Sequence, residues 1–274
     1  LLYGMMLNSG NDAAAALACT LCGDETGFAE KMNEKAREIG LENTSFRNPH
    51  GLDDEGHYST ARDMARLTAY CMQNDTFKDI VSASCAVIKG VTYYNHNRLL
   101  REYEGCIGVK TGYTIAAGRT LVSCAERGGM RLICVTLSAP DDWNDHKYLL
   151  DKAFSENRIV SYSADNFRVS LDVASAAFGT ADAVPKEEIK LLVSSDDEID
   201  VKLEVPHVLF AGGIEGERVG ALSVFINGSL AAREDLVYTK DVKVDSAQRL
   251  TLYERIFRIF DTAMRPYYIG GDTK

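Results

Sequence analysis

The sequence predicts a mixed α/β (α+β) domain, then a small all-β domain, and finally an amphipathic helix. Three patterns predict this order. Residues 1–156 combine the apolar spacing of helices with short apolar runs that are typical of buried strands. Residues 157–245 form short segments in which apolar and polar side chains alternate at a period of two. Residues 246–274 predict the amphipathic helix, because the apolar side chains between residues 251 and 265 fall on one helical face.

Two helix starts can be recognised in the first domain. Asn11 and Asp12 are favourable N-cap residues for an Ala-rich helix over residues 13–22. Thr60 and Asp63 have the spacing of a capping box, in which each residue satisfies a backbone N–H of the other. The sequence therefore predicts a second helix that begins after Thr60.

Strand signals replace the helical spacing in the later part of the first domain. Residues 120–125 and 130–137 flank a Gly128-Gly129 turn, so they predict a hairpin. The second arm is apolar throughout its centre, as expected of a strand that is covered on both faces. A helix over residues 143–154 is predicted to close this domain. In the second domain, Asn227-Gly228 predicts another tight hairpin turn.

Composition narrows the class of protein. The net charge of −10 argues against nucleic acid as a partner, because proteins that bind it usually present a basic face. No metal or organic cofactor is implied by the sequence.

Cys19 and Cys22 fit either a redox or metal pair or two small apolar residues of a helix. We favour the second interpretation, because no further pair of Cys or His completes a zinc site.

Two short motifs carry side chains suited to holding a peptide beside a nucleophile. In Lys110-Thr111-Gly112, the lysine offers a cation for a carboxylate, and such a charge-assisted hydrogen bond is about twice as strong as a neutral one. Thr111 adds a hydroxyl, and Gly112 allows close backbone approach. In Ser9-Gly10-Asn11, the serine can relay a proton. The Asn11 amide can bind a peptide bond, cap the following helix, or do both.

Further stretches around these motifs strengthen the pattern, namely Asn48-Pro49-His50-Gly51-Leu52, residues 57–64 and residues 108–114. Together they resemble the low-molecular-mass penicillin-binding proteins, which are serine-type D-alanyl-D-alanine carboxypeptidases. The resemblance covers residues 1–155 closely and the remainder in outline. It implies that residues 1–156 are the C-terminal portion of a penicillin-recognising, transpeptidase-like catalytic domain. It also implies a small all-β domain over residues 157–245.

The resemblance implies a role for each motif residue. Ser9, Asn11 and Lys110 would be catalytic, with Ser9 relaying a proton towards the departing D-Ala amine. Lys110, Thr111, Gly112 and Tyr113 would bind the substrate. The backbone N–H of Tyr113 would form half of an oxyanion hole, whose donors typically contribute ~3–4 kcal/mol of transition-state stabilisation.

The same resemblance implies a reaction, its partners and a location. The reaction is removal of the terminal D-Ala from peptidoglycan stem peptides by serine acyl transfer. The partners are stem peptides that end in D-Ala-D-Ala, β-lactams, and a membrane surface that contacts residues 246–274. The location is the cell envelope outside the cytoplasm, peripheral on the cytoplasmic membrane.

One element of the family is missing from the sequence. The nucleophile of this family lies in a Ser-x-x-Lys motif, and none of the 13 lysines has a serine three residues before it. Since the chain begins at Leu1, we expect a longer reading frame that is truncated here before or at Ser-x-Asn, and a fragment that is inactive alone. The alternative is a non-catalytic envelope protein that binds peptidoglycan peptides. His50 and His57 are expected to be structural or to line the cleft, rather than to act as general bases.

Overall fold

A computed structural model of the 274-residue chain describes residues 1–173, 180–206, 209–243, 253, 256–257, 259–260 and 268–270. The chain divides into two compact units, Leu1–Ser155 and Glu156–Lys274. The first unit mixes helices with a sheet, whereas the elements of the second unit whose bounds the structure describes are strands.

The first unit contains helices α1 to α7 and strands β1 to β5. Its helices are α1 (Leu2–Asn8), α2 (Asn11–Cys22), α3 (Glu25–Glu38), α4 (Ala61–Cys71), α5 (Asp75–Ser82), α6 (Leu99–Glu102) and α7 (Asp142–Glu156). Its strands are β1 (Cys85–Ile88), β2 (Val91–Tyr94), β3 (Cys106–Thr114), β4 (Gly118–Arg127) and β5 (Met130–Thr136). The predicted hairpin over residues 120–137 is confirmed as the β4–β5 pair, and the predicted helix over residues 143–154 lies within α7.

An antiparallel sheet in the order β3-β4-β5 forms the centre of this unit. Side chains along β4 point alternately to its two faces, so each face contributes to a different core. One core contains Leu99, Tyr103, Leu121, Ala125, Cys134 and Leu150. The other contains Met72, Val81, Val109, Val122 and Cys124. The sheet is therefore covered on both faces, as the apolar sequence of its strands predicts.

The start of α4 differs from the predicted capping box. Thr60 caps the helix, because its Oγ1 accepts a hydrogen bond from the backbone N–H of Asp63 at 3.1 Å. The Asp63 carboxylate does not return this bond. It is buried, and it accepts hydrogen bonds from Asn43 N at 2.7 Å and Thr44 Oγ1 at 2.8 Å. Asp63 therefore anchors the segment before α4, a long-range role that no local spacing predicts.

The second unit is built on antiparallel strands. Its strands are β6 (Asn157–Tyr162), β7 (Arg168–Asp172), β8 (Thr180–Pro185), β9 (Ile189–Ser194), β10 (Ile199–Glu204), β11 (Arg218–Ile226), β12 (Ser229–Tyr238) and β13 (Tyr268–Gly270). Six of them form a sheet in the order β10-β11-β12-β8-β7-β13, and β6 pairs with β9. Asn227 and Gly228 have φ values of 51° and 78°, which confirms the predicted turn between β11 and β12.

The predicted helix over residues 246–274 falls mostly outside the described residues. Tyr253, Ile256, Phe257 and Phe260 are helical and exposed. The prediction is wrong for Tyr268–Gly270, which pair with β7, Tyr268 lying opposite Ser170. A strand edge offers unpaired backbone groups, and these three residues satisfy them by extending the sheet. Within the described part of the chain, no helix combines the length and the apolar character needed to span a bilayer.

A buried polar network joins α7 to the sheet. The His146 side chain is fully buried, with Nδ1 at 2.6 Å from Ser123 Oγ and Nε2 at 3.0 Å from Thr136 Oγ1. Burial lowers the pKa of His146 to about 4, because the imidazolium would lose its hydration inside the unit. A neutral imidazole donates through one ring nitrogen and accepts through the other, which suits two hydroxyl partners.

We expect His146 to make the stability of this unit depend on pH. A histidine in the unfolded chain has a pKa near 6.5. Between pH 6.5 and about 4, His146 is therefore protonated in the unfolded chain but stays neutral in the folded chain. The free energy of unfolding should fall by about 2 kcal/mol between pH 7.5 and pH 5 through this residue. Denaturant unfolding at both pH values measures it. His146→Gln keeps the hydrogen-bonding capacity and should show a smaller fall; an equal fall in both proteins contradicts the assignment.

Candidate functional site

The two predicted motifs meet in the structure through Lys110 and Ser9. Lys110 lies on β3 and Ser9 lies in the turn between α1 and α2. The Lys110 ammonium donates one hydrogen bond to Ser9 Oγ and another to the backbone carbonyl of Thr111 at 3.0 Å. A hydroxyl is thereby held against a basic group, an arrangement that can pass a proton between them.

The backbone directs the Ser9 side chain to this position. Ser9 has φ 54° and ψ 40°, a left-handed conformation that costs a residue other than glycine roughly 1–2 kcal/mol. The next residue closes the turn, because Gly10 N donates to the carbonyl oxygen of Gly4 at 3.1 Å. Such a conformation is retained only where surrounding contacts enforce it, and it is common at functional sites.

Asn11 does not cap the helix that follows it. α2 begins at Asn11 itself, and its N-cap is Gly10, which has no side chain to offer. The predicted capping role of Asn11 and Asp12 is therefore wrong. The Asn11 side chain is exposed and makes no hydrogen bond to any other described residue. Its amide thus stays available two residues from Ser9.

Burial changes the chemistry of Lys110. Loss of hydration lowers the pKa of its ammonium group to about 8, so the charged and neutral forms are both accessible near neutral pH. No carboxylate of the described residues forms a salt bridge with it. A half-buried ammonium without a counter-charge attracts an anionic ligand, because that ligand would restore its electrostatic balance.

The rest of the Lys-Thr-Gly motif lies on β3 beside β4. Thr111 is half-buried, Gly112 is exposed, and Tyr113 is 70% exposed. A Cβ atom at Gly112 would lie 2.4 Å from Thr120 Oγ1 on β4, so a side chain here would force the Thr120 hydroxyl to move. The contact with Thr120 therefore favours glycine here, whereas the sequence suggested only close approach by a ligand.

Sequence reasoning missed one residue that contacts this strand. Residues 53–55 have the composition of a solvated turn, yet Asp53 Oδ1 accepts a hydrogen bond from Thr114 Oγ1 at 2.7 Å. Thr114 is the last residue of β3 and follows Tyr113 directly. The only signal in the sequence was the position of Asp53 just after the stretch Asn48–Leu52.

The two histidines of this region have structural partners. His50 Nε2 lies 3.1 Å from Glu25 Oε2, and its Nδ1 accepts from Leu52 N at 3.3 Å. His57 Nδ1 accepts from Arg47 N at 3.4 Å. Burial lowers the pKa of His57, which favours its neutral form. The bonding partners of both rings lie in helix α3 and the loop that follows it. Neither ring forms a hydrogen bond with Ser9 or Lys110.

Comparison with known proteins identifies the family. A profile described as D-alanyl-D-alanine carboxypeptidase matches residues 1–141. D-alanyl-D-alanine carboxypeptidase DacF of Bacillus subtilis strain 168 is 34% identical over 257 residues, which are 89% of this chain and 66% of the relative. DacC of Escherichia coli K12 is 31% identical over 261 residues, 88% of this chain and 62% of the relative. The chain therefore belongs to the D-alanyl-D-alanine carboxypeptidase family, and it spans less than two thirds of these relatives.

Solved structures support the same family. Penicillin binding protein 5 from Haemophilus influenzae is 28% identical and has a TM-score of 0.61, covering 87% of this chain and 72% of that chain. The Streptomyces K15 DD-transpeptidase is 35% identical with a TM-score of 0.54, covering 56% of this chain and 66% of that chain. The predicted resemblance and the mixed α/β fold of penicillin-binding proteins are thus confirmed.

We predict that a side chain at position 112 destabilises the first unit through its contact with Thr120. Gly112→Ala should lower the free energy of unfolding by about 1–3 kcal/mol, because the added methyl group overpacks the β3–β4 interface. Combining it with Thr120→Ala removes the hydroxyl and should restore most of that loss. Thermal unfolding of both single variants and the double variant measures the coupling; purely additive effects would contradict this explanation of the glycine.

Proposed function

We propose that this chain forms part of an enzyme that removes the terminal D-Ala from peptidoglycan stem peptides by serine acyl transfer. The observation that carries the proposal is the Lys110 ammonium, which is half-buried, bonded to Ser9 Oγ and unpaired with any carboxylate of the described residues. A stem peptide that ends in D-Ala-D-Ala presents a free carboxylate. That group is the anionic ligand such a lysine favours. Membership of the carboxypeptidase family supports the same substrate.

The proposed reaction gives several of the motif residues a catalytic role. A serine from a Ser-x-x-Lys motif outside residues 1–274 attacks the carbonyl carbon between the two D-alanines, and its hydroxyl proton passes to the lysine of that motif, from which Ser9 receives it. The tetrahedral oxyanion accepts a hydrogen bond from the Tyr113 backbone N–H. Ser9 then relays a proton to the departing D-Ala nitrogen while the C–N bond breaks, leaving an acyl-enzyme. Water adds to that ester and releases the shortened peptide together with the free serine.

Binding roles complete the proposed site. Lys110 and Thr111 hold the terminal carboxylate, and the Asn11 amide binds the peptide group of the substrate. The exposed, unpaired side chain of Asn11 suits this role better than a capping side chain would. β-Lactams resemble the D-Ala-D-Ala end and would acylate the same serine. Residues 1–156 would be the C-terminal portion of the catalytic domain, and residues 157–245 its small all-β companion.

A second function follows from the absence of Ser-x-x-Lys in the 274 residues. Without such a motif elsewhere in the reading frame, the protein would bind peptidoglycan peptides in the envelope and not cleave them. Sequencing upstream of Leu1 and labelling the product of the whole reading frame with a fluorescent penicillin separates the two. Label on a Ser-x-x-Lys serine supports the enzyme, and peptide binding without label supports the binding protein. Label on Ser9 would contradict its role as a proton relay.

We predict that Lys110→Ala in the product of the whole reading frame lowers kcat/KM for a D-Ala-D-Ala peptide by about a hundredfold. The reason is loss of a charge-assisted hydrogen bond in a partly desolvated site. Lys31→Ala is a matched control, because it removes one positive charge from an exposed pair with Glu34 in the same unit. A Lys110 variant that cleaves the peptide like the unmodified protein refutes the assignment.

The pH dependence of peptide binding gives a further check on Lys110. Its pKa of about 8 means that the ammonium form predominates below this pH and is lost above it. The affinity for the peptide carboxylate in the unmodified protein should therefore fall as the pH rises beyond about 8. In the Lys110→Ala protein, this dependence should be absent.

We also propose that the C-terminal segment attaches the protein to the outer face of the cytoplasmic membrane. Tyr253, Ile256, Phe257 and Phe260 support this proposal, because four large apolar side chains are exposed on helical residues. Such a surface suits the boundary between lipid headgroups and acyl chains. We predict that liposome flotation of the protein requires residues 247–274. Equal flotation of the full chain and a chain that ends at residue 246 would show that another surface binds lipid.

A further inference from the structure

The loop Asn48–Tyr58 is anchored at both ends by groups outside it. Before it, the buried Asp63 carboxylate holds Asn43 and Thr44, and the Asn33 side chain forms a pair of hydrogen bonds with Phe46. At its other end, Tyr58 forms an isolated antiparallel bridge with Ser45. The ends of the loop are therefore fixed relative to α3 and α4.

The loop is also braced internally. Asn48 is 8% exposed; its Oδ1 accepts from Gly51 N at 2.7 Å and its Nδ2 donates to Leu52 O at 2.9 Å. His50 contacts Glu25 of α3. A loop held by this many bonds has few alternative conformations, so a side chain that projects from it keeps a defined position.

Asp53 projects from this loop onto the end of β3. Thr114 Oγ1 donates to Asp53 Oδ1 at 2.7 Å and accepts from Ala117 N at 2.9 Å in the turn to β4. This end of the strand has little apolar packing, because Tyr113 is 70% and Ile115 is 94% exposed. Among the described residues outside β3 and the turn that follows it, Asp53 is the one whose side chain forms a hydrogen bond with Thr114.

We propose that Asp53 is a positioning residue: by holding Thr114, it fixes the end of β3 and with it the backbone N–H of Tyr113. The inference rests on the proposed function, in which that N–H binds the oxyanion. Tyr113 lies between Gly112, which packs on Thr120, and Thr114, which Asp53 holds. Both neighbours of the donor lie on the β3–β4 ladder, and Thr114 is additionally held through the loop Asn48–Tyr58.

Hydrogen exchange on the product of the whole reading frame tests the link without relying on catalysis. Asp53→Ala should raise the exchange rate of backbone amides in residues 112–117 several-fold, because the tether is lost. Asp53→Asn keeps an oxygen acceptor of the same shape and should exchange like the unmodified protein. Asp54→Ala removes a charge from the same exposed turn and serves as the matched control. Unchanged exchange in Asp53→Ala overturns the inference.

Acylation by a penicillin tests whether this tether positions the Tyr113 backbone N–H for the oxyanion. Asp53→Ala should lower the second-order acylation rate constant roughly fivefold to tenfold, as expected for a misplaced oxyanion donor whose own N–H is retained. Thr114→Val should lower the rate constant to a similar extent. Thr114→Ser should acylate like the unmodified protein, because it keeps the hydroxyl that bonds Asp53. In the Asp53→Ala/Thr114→Val double variant, the two losses should not add.

The outcomes separate this inference from the proposed function. Faster exchange in Asp53→Ala together with an unchanged acylation rate overturns the positioning role. An unmodified protein that is neither acylated nor able to bind the peptide refutes the proposed function. In that case the exchange rates still decide whether Asp53 fixes the end of β3.

Discussion

The contact between Lys110 and Ser9 joins the two halves of the candidate site and depends on most of the first unit. For the ammonium to reach the hydroxyl, β3 must lie against β4, and the α1–α2 turn must adopt its left-handed conformation at Ser9. The sheet removes water from the lysine, and the loss of hydration lowers the pKa of its ammonium. Packing of the sheet thus produces both the geometry of the site and its electrostatic character.

The central sheet can support this contact because each face of β4 packs into its own core. Leu121 and Ala125 contribute to the core beneath α6 and α7, and Val122 and Cys124 to the core beneath α4 and α5. Burial on both faces fixes the register of β3 on β4, since a shift of one residue would exchange the two faces. The same register places Gly112 against Thr120 and leaves the end of the strand exposed.

The exposed end of β3 is held by polar contacts where apolar packing is lacking. The loop Asn48–Tyr58 provides such a contact through Asp53, and its own shape depends on buried or half-buried polar groups such as Asp63 and Asn48. Polar bonds suit this position because they are directional and leave space for a ligand above the strand. Rigid loops beside a sheet edge are a common way to build a binding site on a fold.

The sequence by itself determined the motifs, the family and the order of the main elements. The helix at residues 143–154, the β4–β5 hairpin and the Asn227-Gly228 turn all follow from local patterns, because apolar period and turn residues act over a few positions. Two features were decided only by tertiary structure: the anchoring role of Asp63 and the contact of Asp53 with Thr114. The strand at Tyr268–Gly270 likewise depends on a distant partner, β7. Such contacts join residues far apart in the chain, and whether a polar side chain caps its own helix or reaches across the fold depends on what the fold brings within hydrogen-bonding distance.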